Sequence, residues 1–293
     1  MISFLYLVLA GYLVFAATSS LLLWYEAVND ENPPFERPKP TPFTVIRGYF
    51  FALGGNLAAS CLVPFGLFFA RKPSPLKAER DIDHPPLILI HGIHDSPGVW
   101  LYLTRRLEKQ NRRVTIFGYN SLFSTLDTIL SRLDDHVHMV EAAFPGHKPV
   151  LVVHSLGGLL ARKWMAREGN ETRAAGLITL GTPHRGSKLA AVFSFGLGKH
   201  IAPRSEFIHE LIALEATPPS IPCVSLVSPT DEAVQPASSL VPPAGWKMRP
   251  TPAVSHFGML ICPRTAKILD EELADLRTIA TSPAPEESPE QAD

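Results

Sequence analysis

The stretch Pro149-Val150-Leu151-Val152-Val153-His154-Ser155-Leu156-Gly157-Gly158 decides the fold of this chain. It opens as an apolar run containing the β-branched Val150, Val152 and Val153, which reads as a strand buried on both faces. At Ser155 the pattern changes. Leu159, Leu160, Lys163, Trp164 and Arg167 follow at helical spacing, with an apolar and a basic face. A serine at a strand-to-helix corner among small residues is the pattern of a nucleophile elbow. Such a turn strains the serine backbone and brings neighbouring chain close, so Gly157 stands where a Cβ would clash. The hydroxyl is left above the sheet, and the N–H of Leu156 can point at a developing oxyanion. In the G-x-S-x-G pattern Val153 occupies the first glycine place, so this stretch also fits an ordinary Ser-Gly turn at a βα junction.

The flanking segments repeat the alternation of strand and helix. Leu87-Ile88-Leu89-Ile90 is a fully apolar strand that ends in His91-Gly92-Ile93-His94-Asp95-Ser96-Pro97. A helix is expected from about Val99 to Gln110 and a strand around Val114–Tyr119. A second helix is expected over Ser124–Ala143, with Ser124 as N-cap and Pro145-Gly146 as its stop. Ala174–Leu180 is the strand after the Ser155 helix. Pro222–Val227 is the next one, with Asp231 just past its end. Lys247–Val254 reads as a last strand, and Pro250 and Pro252 place it at an edge. A helix over 263–279 closes the domain. Strands and helices alternating at this spacing imply an α/β fold with a mostly parallel sheet covered by helices. Residues 184–220 interrupt the rhythm with apolar Leu189, Val192, Phe193, Phe195 and Leu197, and read as a lid-like insertion or as plain connecting helices.

The N-terminal 80 residues differ in character. Residues 2–25 carry no charge, and a helix of that length is about 36 Å long, against a hydrocarbon core of about 30 Å. Trp24 and Tyr25 sit where an interfacial aromatic anchor belongs. A signal peptide would have a basic leader and a shorter apolar run. Residues 48–70 form a second uncharged run, in which Gly54 and Gly55 would admit a partner helix. The expectation is a membrane region over 1–80 with spans at 2–25 and 48–70, joined by a proline-rich loop. Arg71, Lys72, Lys77 and Arg80 follow the second run, against Arg37, Lys39 and Arg47 in the loop; a one-charge difference leaves the orientation open. The expected location is therefore a membrane, the inner membrane for a bacterial chain, with the side of the catalytic domain undecided. The α/β sheet domain is expected over 81–280, and 281–293, rich in Pro, Glu, Ser and Ala, as a disordered tail.

Composition excludes other classes. A net charge of −1 gives no footprint for nucleic acid. The 3 cysteines, Cys61, Cys223 and Cys262, are too scattered for a disulfide framework or a zinc site. No tight histidine pair marks a metal centre.

Ser155, Asp231 and His256 each lie just beyond a strand end, where ligands bind in open α/β sheets. A serine hydroxyl needs a base within hydrogen-bond reach to act as a nucleophile. His256 is the candidate base, and Asp231 the candidate acid that holds its tautomer. Glu232 is the rival acid. His91 and His154 flank the site and are read as shaping its backbone; His94, His184, His200 and His209 are read as solvated or structural.

Residues 87–277 resemble the lipase/esterase group of the α/β-hydrolase superfamily, near the bacterial lipase-like serine esterases. The resemblance rests on Ile90-His91-Gly92-Ile93, Val153-His154-Ser155-Leu156-Gly157-Gly158, Gly181-Thr182-Pro183-His184-Arg185-Gly186-Ser187 and Ser255-His256 in that order. It implies an α/β-hydrolase fold and an oxyanion hole built from the N–H groups of Ile93 and Leu156. It also implies a serine esterase with no metal or organic cofactor, acting on an ester or lipid substrate beside the bilayer. A thioesterase, amidase or acyltransferase of the same fold, or a catalytically silent membrane interaction protein, are the alternatives.

Overall fold

A computed structural model of the chain describes residues 2–39, 41–70, 84–167, 169–191 and 196–281. Two helices, α1 (Ile2–Asn29) and α2 (Pro42–Ala70), precede the sheet domain. The domain then runs β1 (Leu87–Ile90), α3 (Leu101–Lys109), β2 (Val114–Phe117), α4 (Leu126–Ala143), β3 (Val150–His154), α5 (Leu156–Met165) and β4 (Gly176–Leu180). After these come α6 (Glu206–Ala213), β5 (Cys223–Val227), β6 (Lys247–Pro250), α7 (Gly258–Ile261) and α8 (Pro263–Thr281). The six strands form one sheet in the order β2-β1-β3-β4-β5-β6, with every pairing parallel.

The apolar runs go where the sequence places them. β1, β3, β4 and β5 are buried at every position, as expected of central parallel strands with helices on both faces. Alternate residues feed two separate cores. Ile88, Ile90, Leu151 and Val153 pack with α4 and α5 on one face, while Leu87, Leu89, Val150 and Val152 pack with α3 and α8 on the other. β6 is the half-exposed edge strand, and Pro250 is its last residue. The N-cap of α4 is Thr125, whose hydroxyl accepts the N–H of Thr128; Ser124 lies one residue outside, so the expected helix start moves inward. The segment before α3 is a 3₁₀ turn, Pro97–Trp100, capped by Ser96.

The described part of the insertion joins the main core. Leu197, Ile201, Phe207, Ile208 and Leu211 are buried against the α4/α5 face of the sheet, as connecting helices would be. Val192, Phe193 and Phe195 lie outside the described residues, as does the expected tail beyond Thr281.

α1 and α2 pack against one another, and α2 packs against the sheet domain. Their buried positions form stripes: Ala16, Ser19, Ser20, Leu23 and Trp24 on α1, and Ala52, Gly55 and Asn56 on α2. Trp24 is thus not the interfacial anchor expected from its place in the sequence. Its ring is buried at the hairpin seam against Gly48, whereas Tyr25 stays exposed. Gly54 has open space around it, and Gly55 meets the loop after β6 and the first residue of α7. Among the described residues no helix is long and apolar enough to cross a membrane. The side chains of residues 2–9, 12 and 59–70, within the expected spans 2–25 and 48–70, lie outside the described set.

Leu159 on α5 is fully buried in the core beneath the Ser155 turn. Leu159→Ala should lower unfolding free energy by about 2–5 kcal/mol through lost burial and a residual cavity. A shift of the urea midpoint at unchanged m-value measures it.

Candidate active site

Ser155 stands between the end of β3 and the start of α5 with φ 54° and ψ −123°. A non-glycine residue there is strained, and the strain is held by packing around it. The Ser155 N–H donates to the Leu180 carbonyl at the end of β4 (3.0 Å), and its carbonyl accepts Gly158 N–H (3.0 Å) and the Thr182 hydroxyl (3.1 Å). Gly157 makes the turn possible: a Cβ there would fall 2.6 Å from the Ile90 carbonyl oxygen and 2.7 Å from that of His91. Leu156 occupies the first turn of α5, where backbone N–H groups have no intrahelical acceptor. Its N–H is therefore available to an anion, as the sequence requires of an oxyanion donor.

The opposing loop follows β1. His91 accepts the Tyr119 N–H on Nε2 (3.2 Å), so its Nδ1 carries the proton and donates to the Gly92 carbonyl (2.9 Å). The Tyr119 hydroxyl donates to the carbonyls of His91 (2.9 Å) and Gly92 (3.1 Å), and the two rings stack with centroids 4.3 Å apart. Burial holds His91 below the ordinary histidine pKa, consistent with this neutral tautomer. The buried Asp95 side chain accepts the Gly92 N–H (3.2 Å), which fixes the turn that presents Ile93.

Asp231 and His256 come together from the loops after β5 and β6. His256 Nδ1 lies 2.8 Å from Asp231 Oδ2, and both side chains are almost fully buried. The second Asp231 oxygen accepts the N–H groups of Ala233 (3.0 Å) and Val234 (3.1 Å), so the carboxylate cannot swing away. Gly181, at φ 56°, lies beneath the pair: a Cβ would stand 2.9 Å from Asp231 Oδ2 and 3.1 Å from His256 Nδ1. Gly181 directly follows Leu180, the residue that holds Ser155 N–H, so the imidazole and the serine share one short segment of support. His154, next to the serine, donates Nε2–H to the His256 carbonyl (3.3 Å), with the ring centroids 4.5 Å apart.

Burial alone would depress the His256 pKa, but the charge and hydrogen bond of Asp231, with Glu232 and Asp95 behind them, raise it overall. Glu232 is the rival carboxylate, and its geometry separates the roles. Its Oε2 accepts the backbone N–H of His256 (3.0 Å), whereas the ring nitrogen Nδ1 is met by Asp231. Burial, reinforced by the negative charge of Asp231, pushes its carboxyl up to about 7.

Of the residues singled out in the sequence, Asp231 and His256 are in contact, Ser155 and Leu156 sit on the elbow and connect to that pair through His154 and the Leu180–Gly181 segment, and Ile93 follows the glycine fixed by Asp95. His184, read as solvated or structural, is fully buried between Arg162 and the Ser225 hydroxyl. Tyr119 and Asp95 escaped the sequence reading. Tyr119 lies two residues past β2, so its strand-end position was the available signal; Asp95 had none beyond following His-Gly. Among the described residues no group of three or more His, Cys, Asp or Glu side chains is placed to hold a metal ion.

The comparisons agree with this architecture. Residues 85–201 match the alpha/beta hydrolase fold family. The mature lipase BlEst2 of Bacillus licheniformis superposes with a TM-score of 0.59 at 18% identity, over 68% of this chain and 96% of that one. Lipase B of Aspergillus fumigatus gives 0.60 at 16% identity, over 69% of this chain and 55% of the other. Comparison with curated protein sequences gave no match.

If the Ser155 backbone is strained, Ser155→Gly should stabilise the fold by about 1–2 kcal/mol, the relief of strain exceeding the extra flexibility glycine gives the unfolded chain. Denaturant titration measures this; a less stable glycine variant would show that the turn carries no strain.

Proposed function

This chain has the α/β-hydrolase fold, and we propose that it is a serine hydrolase that cleaves carboxylic esters of acyl lipids at a membrane surface. The observation that carries the reading is the 2.8 Å pairing of His256 Nδ1 with a fixed, buried Asp231 carboxylate beside the strained Ser155 turn.

The chemistry follows from the roles. With Nδ1–H held by Asp231, the His256 imidazole keeps its Nε2 lone pair free to accept a proton. The Ser155 hydroxyl attacks the ester carbonyl and gives its proton to His256. The tetrahedral oxyanion takes the N–H groups of Leu156 and Ile93. Collapse expels the alcohol, which carries away the proton from His256 and leaves the acyl group on Ser155. Water, deprotonated by His256, then adds to the acyl-enzyme and releases the acid. Asp231 stabilises the imidazolium formed twice in each cycle.

The substrate class is favoured by two features. The matched structures named above are lipases. The N-terminal hairpin also exposes apolar stripes: Val14, Leu21, Tyr25 and Val28 on α1 at helical spacing, and Phe43, Ile46 and Phe50 on α2. Large exposed apolar surface of this kind marks a membrane or partner. Membrane attachment of the full chain through residues 1–80 is part of the same proposal.

Ser155→Ala should abolish labelling by a fluorophosphonate probe and lower ester turnover by about 10⁴-fold or more while the protein stays folded. Labelling retained in that variant would overturn the nucleophile. A panel of esters, thioesters and amides of graded acyl length then separates esterase from the other acyl-transfer activities.

The raised His256 pKa gives a signed pH prediction. The base must be neutral, so kcat/KM should rise with pH through an apparent pKa above the ordinary value of about 6.5. Asp231→Asn removes the charge that raises it, so the limb should move to lower pH while kcat falls strongly. Glu232→Gln should leave kcat within a few-fold. The reverse pattern would make Glu232 the acid.

Membrane attachment through the exposed apolar stripes is checked by fractionation: the full chain should sediment with membranes, and its recovery in the supernatant would overturn the attachment.

A further inference from the structure

We propose that the N-terminal hairpin is a positioning element of the active site, with Gly55 of α2 setting the placement of the His256 loop; this rests on the Ser155–His256–Asp231 reading above. Three independent contacts tie the hairpin to the loops that build the site. The first is α2 itself, which packs along the 3₁₀ turn Pro97–Trp100 that follows the Ile93 loop, and against α7, which follows His256. The second is Gly55. A Cβ at that position would lie 2.6 Å from the Ser255 hydroxyl oxygen and 3.5 Å from Phe257 Cβ, the two residues that flank His256. The third is Arg37 in the loop between the helices, whose Nε donates to the Pro229 carbonyl (3.3 Å), two residues before Asp231. Beyond these, Glu26 of α1 pairs with Lys188 at the start of the insertion (2.7 Å).

The Gly55 contact has a direct route to the base. The Ser255 hydroxyl accepts the N–H of Gly258 (3.1 Å), and the same short loop is held by His154 at the His256 carbonyl and by Glu232 at the His256 N–H. An added methyl at residue 55 forces the Ser255 hydroxyl to turn or the loop to move. Turning it breaks the bond that closes the loop; moving the loop shifts His256 relative to Ser155. A displacement of 1 Å at a catalytic group can cost about 10²-fold in rate.

The expected effects run against what α2 alone would give. Alanine and bulkier residues favour a helix over glycine, so a packing role confined to α2 predicts variants at least as stable and as active as the wild type. A positioning role predicts instead that Gly55→Ala and Gly55→Val lower kcat progressively, the latter by about 10²-fold, with KM changed less than about two-fold.

The test uses the detergent-solubilised full chain and a double-mutant cycle between residues 55 and 255. Fluorophosphonate labelling rate, kcat and KM on one ester, and the proton resonance of the His256 Nδ1–H are read for the wild type, Gly55→Ala, Ser255→Ala and the double variant. The proposal expects Gly55→Ala to slow labelling and shift the resonance, and the double variant to be no worse than Ser255→Ala alone, because the clash needs the hydroxyl. Wild-type rates and an unshifted resonance in Gly55→Ala and Gly55→Val overturn it. So do losses that multiply in the double variant. If the wild type takes no label at Ser155, the triad reading has failed; the positioning of His256 is then decided by the resonance, which needs no turnover.

Discussion

The arrangement of this molecule depends on how closely α5 approaches the end of β1. At Gly157 the helix backbone passes the carbonyls of Ile90 and His91 with room for no side chain. That approach forces Ser155 into a left-handed conformation and lifts its side chain clear of the sheet. It also sets the first N–H of α5 beside the loop that continues β1. Strain of about 1–3 kcal/mol is typical for such a residue. It is offset because Leu156, Leu159 and Leu160 are fully buried immediately beyond it, each worth about 1.5–3 kcal/mol. The core therefore holds a conformation that the turn alone would not keep.

A second constraint is electrostatic. Asp95, Asp231 and Glu232 converge on His256 in a region with almost no solvent, and burying three carboxylates around one imidazole is costly. The geometry separates their tasks. Asp231 alone meets the ring, and its other oxygen is held by two backbone N–H groups. Glu232 meets the main chain of His256, and burial together with the negative charge of Asp231 pushes its carboxyl up to about 7. Asp95 faces the Gly92 N–H. One charge is committed to the imidazole, and the other two groups hold loops.

Most of the sheet was legible because buried parallel strands are written as unbroken apolar runs, as in Leu87–Ile90 and Val150–Val153. Ser155, Asp231 and His256 were legible for a related reason: each follows such a run at once. Tyr119 and Asp95 were not, since their importance lies in which carbonyl or N–H they reach across the loop. Trp24 was misread because a tryptophan at the end of an apolar helix looks alike whether it faces headgroups or another helix. Its neighbour Tyr25, one residue round the helix, is the exposed one. The membrane spans were read from uncharged runs, but absence of charge does not distinguish lipid from protein as the neighbour. The inner stripes of α1 and α2 carry Ser19, Ser20 and Asn56, with Ser19 bonded to the Ala16 carbonyl (3.3 Å) and Asn56 to the Ala52 carbonyl (2.7 Å). Those polar positions face protein, and they dilute the apolarity of the helices without exposing a polar group.

The two faces of the hairpin therefore have different surroundings, and under the proposed function the difference bears on how a lipid ester would reach Ser155. The inner face is held by the Pro97–Trp100 turn and the loop around His256. The outer face carries Val14, Leu21, Tyr25, Phe43, Ile46 and Phe50. Hydrophobic burial is non-directional and scales with area, so a bilayer engaging the outer stripes gains free energy without disturbing the inner contacts. A site braced by the inner face then lies one helix diameter from the lipid, about 10 Å. Over that distance an acyl chain can leave the bilayer with most of its methylenes still out of water, each worth about 0.8 kcal/mol. A free hairpin tethered by a loose linker would offer no such path. If the proposed membrane attachment holds, the packing of α2 on the His256 loop would tie the position of the membrane surface to the position of the base.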